Sequence, residues 1–252
     1  MRELLKTGRP VIGTWLNSGS PVIAQLLAES GLDFVCVDAE HSPIDVPQAF
    51  NLFQAIRASQ TRCAPIVRLH GVDYPLVKRY LDAGARGVIC PFINTRTDAE
   101  LLVSATRFPP AGLRGVGFCS ANGFGARVQE EFASANDQIL VAVQIEHIRA
   151  VQNIDEILSV PGIDAAFIGP YDLSASMGLT GQFDHPDFQK ARDGILAACA
   201  RHGITPGIHV VQPDLAELHR RLAEGYKLLA YSLDITILTC EMRKLASEFP
   251  RT

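Results

Sequence analysis

The chain has 252 residues, of which 47% are hydrophobic and 20% charged, and its net charge is −4. This is the composition of a folded globular protein, long enough for one large α/β domain and too apolar for disorder. The mild negative charge, without long runs of one sign, excludes the clustered basic footprint of a nucleic-acid binder, and no apolar stretch approaches the ~20 residues of a membrane span.

In chain order, short runs rich in Val and Ile alternate with longer runs of helical spacing. Buried parallel strands read this way, and the runs predict strands at Val11–Trp15, Phe34–Asp38, Pro65–Leu69, Gly87–Pro91, Leu140–Ile145, Ala165–Gly169, Pro206–His209 and Leu228–Ser232. Between them the spacing predicts helices over Pro21–Ser30, Val46–Ser59, Tyr74–Ala83, Thr97–Arg107, Ala150–Ser159, Asp187–His202, Asp214–Glu224 and Ile235–Glu248. Asp45, Thr97 and Asp214 are expected to cap amino ends, and Gly203 and Gly225 follow two carboxyl ends. Strand–helix alternation of this length predicts a single (β/α)8 barrel domain over residues 1–252. The rival, a doubly wound open sheet, would show a GxGxxG turn after its first strand, and Leu16-Asn-Ser-Gly-Ser20 lacks it.

One segment breaks the rhythm. Phe108–Gln138 carries Pro109-Pro-Ala-Gly-Leu-Arg-Gly-Val-Gly117 and a polar helix-like stretch near Val128–Ala135. An insertion of this length is expected to be functional or an oligomer contact. Cys36, Cys63, Cys90, Cys119, Cys199 and Cys240 are scattered without a CxxC pair. Together with an amino terminus too short and polar for a signal peptide, this predicts reduced thiols and a cytoplasmic protein.

In a barrel, chemistry comes from the carboxyl ends of the strands. Those ends read Trp15; Asp38 with Glu40 and His41; Arg68 with His70; Pro91; Gln144 with Glu146; Gly169 with Asp172; His209; and Ser232. Glu146 and Asp172 offer hard oxygen donors on consecutive strand ends, which suits Mg2+, or Mn2+ and Co2+. Either acid alone would read as a helix cap. Arg68 fits a substrate carboxylate or a salt bridge to a neighbouring acid equally well. His41 is the candidate general base, ahead of His70, His147 and His209, and Asp82 could orient it and raise its pKa. The five lysines, Lys6, Lys78, Lys190, Lys227 and Lys244, end no strand, which argues against a Schiff-base aldolase. The last two strand-end loops lack a glycine-rich phosphate cradle.

These residues resemble the HpcH/HpaI aldolase family, the metal-dependent pyruvate aldolases. The matching stretches are Val37-Asp-Ala-Glu-His41 followed by Pro43, Pro65-Ile-Val-Arg68, Leu81-Asp-Ala-Gly-Ala85, the Pro109–Gly117 run, Gln144-Ile-Glu146 and Ile168-Gly-Pro-Tyr-Asp-Leu-Ser174. The resemblance implies a barrel that assembles as a homo-hexamer, a trimer of dimers, with its last helix exchanged between subunits. It implies a metal on Glu146 and Asp172, Arg68 on the pyruvate carboxylate, and a base made of His41 and Asp82. Gln144 and Gly169 join Arg68 and Asp172 around the substrate. The stretch Gly117-Phe-Cys-Ser-Ala-Asn-Gly-Phe-Gly125 departs from the alanine-rich loop associated with the family's dicarboxylate aldolases, and this leaves the acceptor aldehyde open.

The expected reaction is reversible cleavage of a 4-hydroxy-2-oxo acid to pyruvate and an aldehyde through a metal-stabilised pyruvate enolate, as in aromatic or sugar-acid catabolism. An oxaloacetate-type decarboxylase and a citrate-lyase-like enzyme are the alternatives on the same scaffold. A metal-binding scaffold without activity is the non-enzyme alternative.

Overall fold

The computed structural model describes residues 1–249. A short helix α1 (Arg2–Lys6) precedes β1 (Val11–Leu16), and then α2 (Pro21–Glu29), β2 (Phe34–Asp38), α3 (Val46–Ala58), β3 (Ala64–Arg68), α4 (Tyr74–Ala83), β4 (Gly87–Cys90) and α5 (Arg96–Thr106) alternate. The insertion carries a 3-10 turn at Ser120–Asn122 and α6 (Val128–Gln138), followed by β5 (Leu140–Ile145), α7 (Ile148–Gln152), α8 (Ile154–Leu158), β6 (Ala165–Ile168) and α9 (Pro170–Ser176). The chain closes with α10 (Pro186–His202), β7 (Thr205–Val210), α11 (Leu215–Ala223), β8 (Leu228–Leu233) and α12 (Asp234–Glu248). All neighbouring strands are parallel, and β8 pairs with β1 to complete a closed eight-stranded barrel.

Alternation along the strands separates two apolar layers. Trp15, Phe34, Cys36, Ile66, Ile89, Leu140, Ala142, Phe167 and Ala230 fill the barrel interior. Their neighbours Val35, Val37, Val67, Val88, Val141, Val143 and Ile168 face the helices. A period of two demands this split, and burial on both faces explains why the strands read as nearly continuous apolar runs. The interior is full because small residues stand opposite large ones. Gly13 pairs with Phe34, and a Cβ at Gly13 would lie 2.4 Å from the Phe34 ring.

The expected helices form with small shifts. Asp45 and Asp214 cap α3 and α11 as expected. The cap of α5 is Thr95 and not Thr97: the Thr95 hydroxyl accepts from the Asp98 N–H while the Asp98 carboxylate accepts from the Thr95 N–H, whereas Glu100, the acid three residues beyond Thr97, accepts from Arg96 and Thr97 lies inside the helix. The single helix expected over Ala150–Ser159 is two, α7 and α8, joined at Asn153, whose amide donates to the Asn94 carbonyl at 2.9 Å. The seven-residue α9 begins directly at a strand end, so its sequence reads as a turn.

Within the insertion, Asn122 organises the loop by accepting from the N–H groups of Cys119 and Gly125 and donating to the Gly117 carbonyl. Along α12, Ile235, Leu238, Met242 and Leu245 form an exposed apolar stripe, and Val22 and Leu26 of α2 are exposed as well. Among the described residues no helix is long and apolar enough to cross a membrane.

Candidate active site

The carboxyl rim of the barrel gathers the polar residues. Phe34 and Cys36 point inward on β2, so Asp38, two residues on, also points inward; Ile66 sets Arg68 inward on β3 in the same way. Asp38 and Arg68 are direct cross-strand partners. The fully buried Asp38 carboxylate accepts from Arg68 Nε at 2.9 Å and Nη2 at 2.7 Å, from the Asn17 amide at 2.7 Å, and from the Glu40 and His41 N–H groups. Burial alone would raise its pKa, but the bonds from Arg68 outweigh burial and hold the carboxyl below its ordinary value. The Arg68 guanidinium also lies 4.4 Å from the centre of the Trp15 ring. One edge of the fork is thus fixed on Asp38, and Nη1 is left without a hydrogen bond to the protein.

Opposite stand the two acids. β5 and β6 pair Ile145 with Ile168, and the Gly169 N–H continues the ladder by donating to the Ile145 carbonyl, which sets Glu146 beside Gly169. A Cβ at Gly169 would fall 2.9 Å from Glu146 Cβ and 3.1 Å from Oε2, so only glycine leaves the carboxylate its place. Glu146 is buried; its Oε1 accepts from the Phe92 N–H at 2.9 Å and its Oε2 from the Gln144 amide. Phe92 adopts a left-handed φ of 59°, uncommon for a non-glycine residue, and in that conformation its N–H meets the acid. Asp172, exposed to the mouth, is in the first turn of α9.

Not every expected residue comes to this rim. His41 is 61% exposed, and its Nε2 stands 3.6 Å from Glu40 Oε2, too far for a hydrogen bond. Asp82 is in the last turn of α4, which runs back from the rim for ten residues, ~15 Å. There its carboxylate accepts from Arg114 Nη2 at 2.9 Å. One chain therefore does not bring His41 and Asp82 together. His70 is exposed, and His147 caps α7 through Nδ1. His209 packs edge-on against Trp15, its Nε2 donates to the Ser232 carbonyl, and burial lowers its pKa to about 4, so it is neutral at pH 7. Asp38 and Glu40 stand among the polar strand-end groups of the sequence, and the salt bridge weighed for Arg68 is made to Asp38; the sequence assigns Glu40 no role of its own.

The donor set fits a divalent cation. Among the described residues no three His, Cys, Asp or Glu side chains converge closely enough to enclose an ion unaided. Glu146 and Asp172 would therefore supply two oxygens and leave the other positions to water and substrate, as an open catalytic site requires. Burial raises the Glu146 pKa, and the nearby Asp172 charge adds to the rise; a cation relieves both effects. Gln144 Oε1 and Glu40 Oε2 are buried polar atoms without a hydrogen-bond partner beside them.

Residues 11–239 match the sequence model of a family described as HpcH/HpaI aldolase/citrate lyase. A 4-hydroxy-2-oxo-heptane-1,7-dioate aldolase of Klebsiella pneumoniae is 39% identical over 249 residues, covering 98% of this chain and 92% of that protein. The crystal structure of an HpcH/HpaI aldolase/citrate lyase family protein from Burkholderia cenocepacia superposes with a TM-score of 0.92 at 37% identity, over 98% of this chain and 99% of the other. An HpcH/HpaI aldolase from Desulfitobacterium hafniense does so with a TM-score of 0.90 at 32% identity, over 100% of this chain and 97% of the other.

The acid surplus on the rim has a pH signature. Burial, reinforced by the charges of Glu146, Asp38 and Asp172 and opposed by Arg68, pushes the Glu40 carboxyl from 4.5 up to about 7. Between these values the unfolded chain has released the proton that the folded chain retains, so ionisation opposes folding as pH rises. Without divalent metal, the unfolding free energy of the wild type is expected to fall relative to Glu40→Gln between pH 4.5 and about 7, and to run parallel to it outside that window. Urea titrations across the range measure this; parallel curves throughout would contradict the coupling.

Proposed function

The chain belongs to the HpcH/HpaI aldolase/citrate lyase family and is a carbon–carbon lyase, and on that premise we propose that it reversibly cleaves a 4-hydroxy-2-oxo acid to pyruvate and an aldehyde. The cofactor in this reading is a divalent cation, Mg2+, Mn2+ or Co2+, held by Glu146 and Asp172. The observation that carries it is the meeting, on one rim, of a fixed guanidinium with a buried acid and a second acid at the adjacent strand end. Lys6, Lys78, Lys190, Lys227 and Lys244 end no strand, so the amine of a Schiff-base mechanism is missing from this rim. A cytoplasmic location belongs to the same reading, supported by six unpaired cysteines.

In the cleavage direction, Arg68 binds the substrate carboxylate through the edge that Asp38 leaves free, and the Trp15 face keeps the guanidinium from turning away. Gln144 holds Glu146 through its amide, and the bare backbone of Gly169 leaves space for the 2-oxo acid beside both. When bound, the cation supplies Lewis-acid stabilisation for the charge that develops on the 2-oxo oxygen. His41 accepts the proton of the C4 hydroxyl; the C4–O bond becomes a carbonyl, the C3–C4 bond breaks, and its electron pair passes into the 2-oxo group. Protonation of C3 then releases pyruvate. The reverse sequence adds pyruvate to the aldehyde.

Assembly completes the base. His41 opens to solvent on the rim, while Asp82 lines a shallow recess with Val46, Phe50, Cys119 and the exposed Phe124. In the proposed homo-hexamer, Asp82 of one copy orients His41 of another, and the apolar stripe of α12 is buried on a neighbouring barrel. Exposed apolar faces of this extent are interaction surfaces.

Three experiments test the reading. Exhaustive chelation, and separately Glu146→Ala, are expected to reduce pyruvate release from a 4-hydroxy-2-oxo acid by on the order of 10²–10³-fold or more, with Mn2+ restoring only the chelated wild type. Arg68→Lys, which does not strand the Asp38 charge, is expected to raise the pyruvate KM roughly 10- to 100-fold. Unchanged turnover after chelation would sink the metal assignment. For the base, His41→Ala and Asp82→Ala are each expected to be inactive alone and to regain activity when co-expressed, because hybrid interfaces contain one intact pair. A co-expressed mixture as inactive as either variant would exclude a base shared between subunits.

A further inference from the structure

Glu40 is the acid on the rim that the proposed reaction leaves without a task. Its side chain is only 8% exposed, and its Oε2 is buried without a hydrogen-bond donor. Arg68 Nε is 3.3 Å away, but the hydrogen on that nitrogen is directed to Asp38 at 2.9 Å. His41 Nε2, at 3.6 Å, is beyond bonding range. A buried carboxylate oxygen is costly to leave without a donor, and such atoms are rare in folded proteins. Its backbone is not free to swing the group outward, because the Glu40 and His41 N–H groups are both tied to Asp38.

The charge balance of the rim points the same way. Asp38 neutralises Arg68 across a register pair. Arg68 approaches Glu40 only as a second ion-pair contact at 3.3 Å without a hydrogen bond, Glu146 and Asp172 have no ion pair among the described residues, and the charges of Glu146 and Asp172 both act on Glu40. Three carboxylates in one field repel unless a cation enters it. Glu40 does not converge with Glu146 and Asp172 tightly enough to form a three-acid cage, so direct ligation by all three is not the arrangement.

We propose that Glu40 is a third acid of the cation site, acting not as a ligand but by accepting a hydrogen bond from a water in the shell of the ion held by Glu146 and Asp172. The inference rests on the divalent-metal reading above. Outer-shell acceptors orient the waters and ligands of an ion, and their loss typically costs 10- to 100-fold in affinity. Glu40 therefore sets how tightly the rim holds the cation before any substrate arrives. In this role it also gives the buried Oε2 the donor that the protein does not supply.

Mn2+ binding to the purified full-length enzyme, without substrate, tests this. Free Mn2+ is counted by electron paramagnetic resonance during titration of the wild type, Glu40→Gln, Glu40→Asp and Glu146→Gln, each checked for a single cooperative thermal transition. Glu40→Gln keeps the shape and removes the charge, and is expected to weaken Mn2+ about 10- to 100-fold. Glu40→Asp, with the charge retained and the reach shortened, is expected to fall between it and the wild type. It also serves as the test if the glutamine variant does not fold. Glu146→Gln is expected to abolish measurable binding. If Glu146→Gln abolishes binding while both Glu40 variants stay within about twofold of the wild type, the inference is overturned and the metal reading stands. If the wild type itself binds no Mn2+, the metal reading falls and this inference with it.

Discussion

A single buried ion pair, Asp38 with Arg68, anchors the rim. The two side chains are opposite one another in the register of β2 and β3, and the carboxylate meets five donors in a fully buried place. Burying two charges costs several kcal/mol per ion unless geometry and hydrogen bonds compensate, and here both oxygens of the acid and one edge of the fork are used. The pair does more than offset its own desolvation. It clamps Arg68 over Trp15, and through the Glu40 and His41 N–H groups it fixes the loop that carries the proposed base and the unpartnered acid. His209, neutral and partly buried, packs edge-on against Trp15.

The opposite half of the mouth is built by backbone and not by charge. Gly169 has to lack a side chain for Glu146 to fit, and Phe92 takes up a left-handed conformation to give Glu146 an N–H. These constraints hold an acid in a place where burial and Asp172 disfavour its ionised form. A site that stores negative charge in this way is suited to a cation, and the guanidinium across the mouth is suited to a carboxylate. The two together describe a cleft for a 2-oxo acid. The proposed pairing of His41 with Asp82 is not made within one chain, since Asp82 is bonded to Arg114 at the far end of α4 while His41 opens outward. In the proposed reading, function is therefore tied to assembly in a way that the barrel alone does not express.

The barrel was legible because burial on both faces leaves a simple signature, apolar runs of strand length separated by capped helices. Phe34–Asp38 and Leu140–Ile145 match their expected bounds for that reason. The acids at the strand ends were legible because each breaks an apolar run. Thr95 was missed because Thr95 and Thr97 each have an acid three residues on, Asp98 and Glu100, and spacing does not show that Glu100 is taken by Arg96. The partner of Asp82 was missed because spacing carries no information on which way a helix returns, and Arg114 lies 32 residues further along the chain. The weight of Asp38 and the isolation of Glu40 depend on hydrogen-bond counting, which requires all the donors of the rim in place at once.

In the proposed mechanism the rim removes a proton from C3 of pyruvate only with a divalent cation present. Loss of the pyruvate methyl proton signal in deuterated water, followed by nuclear magnetic resonance with no aldehyde added, reads that step directly. Enzyme-dependent exchange is expected with Mg2+ or Mn2+, and none after chelation or in Glu146→Ala. Exchange at the same rate without metal, or no exchange with it, would overturn the metal-dependent enolate mechanism.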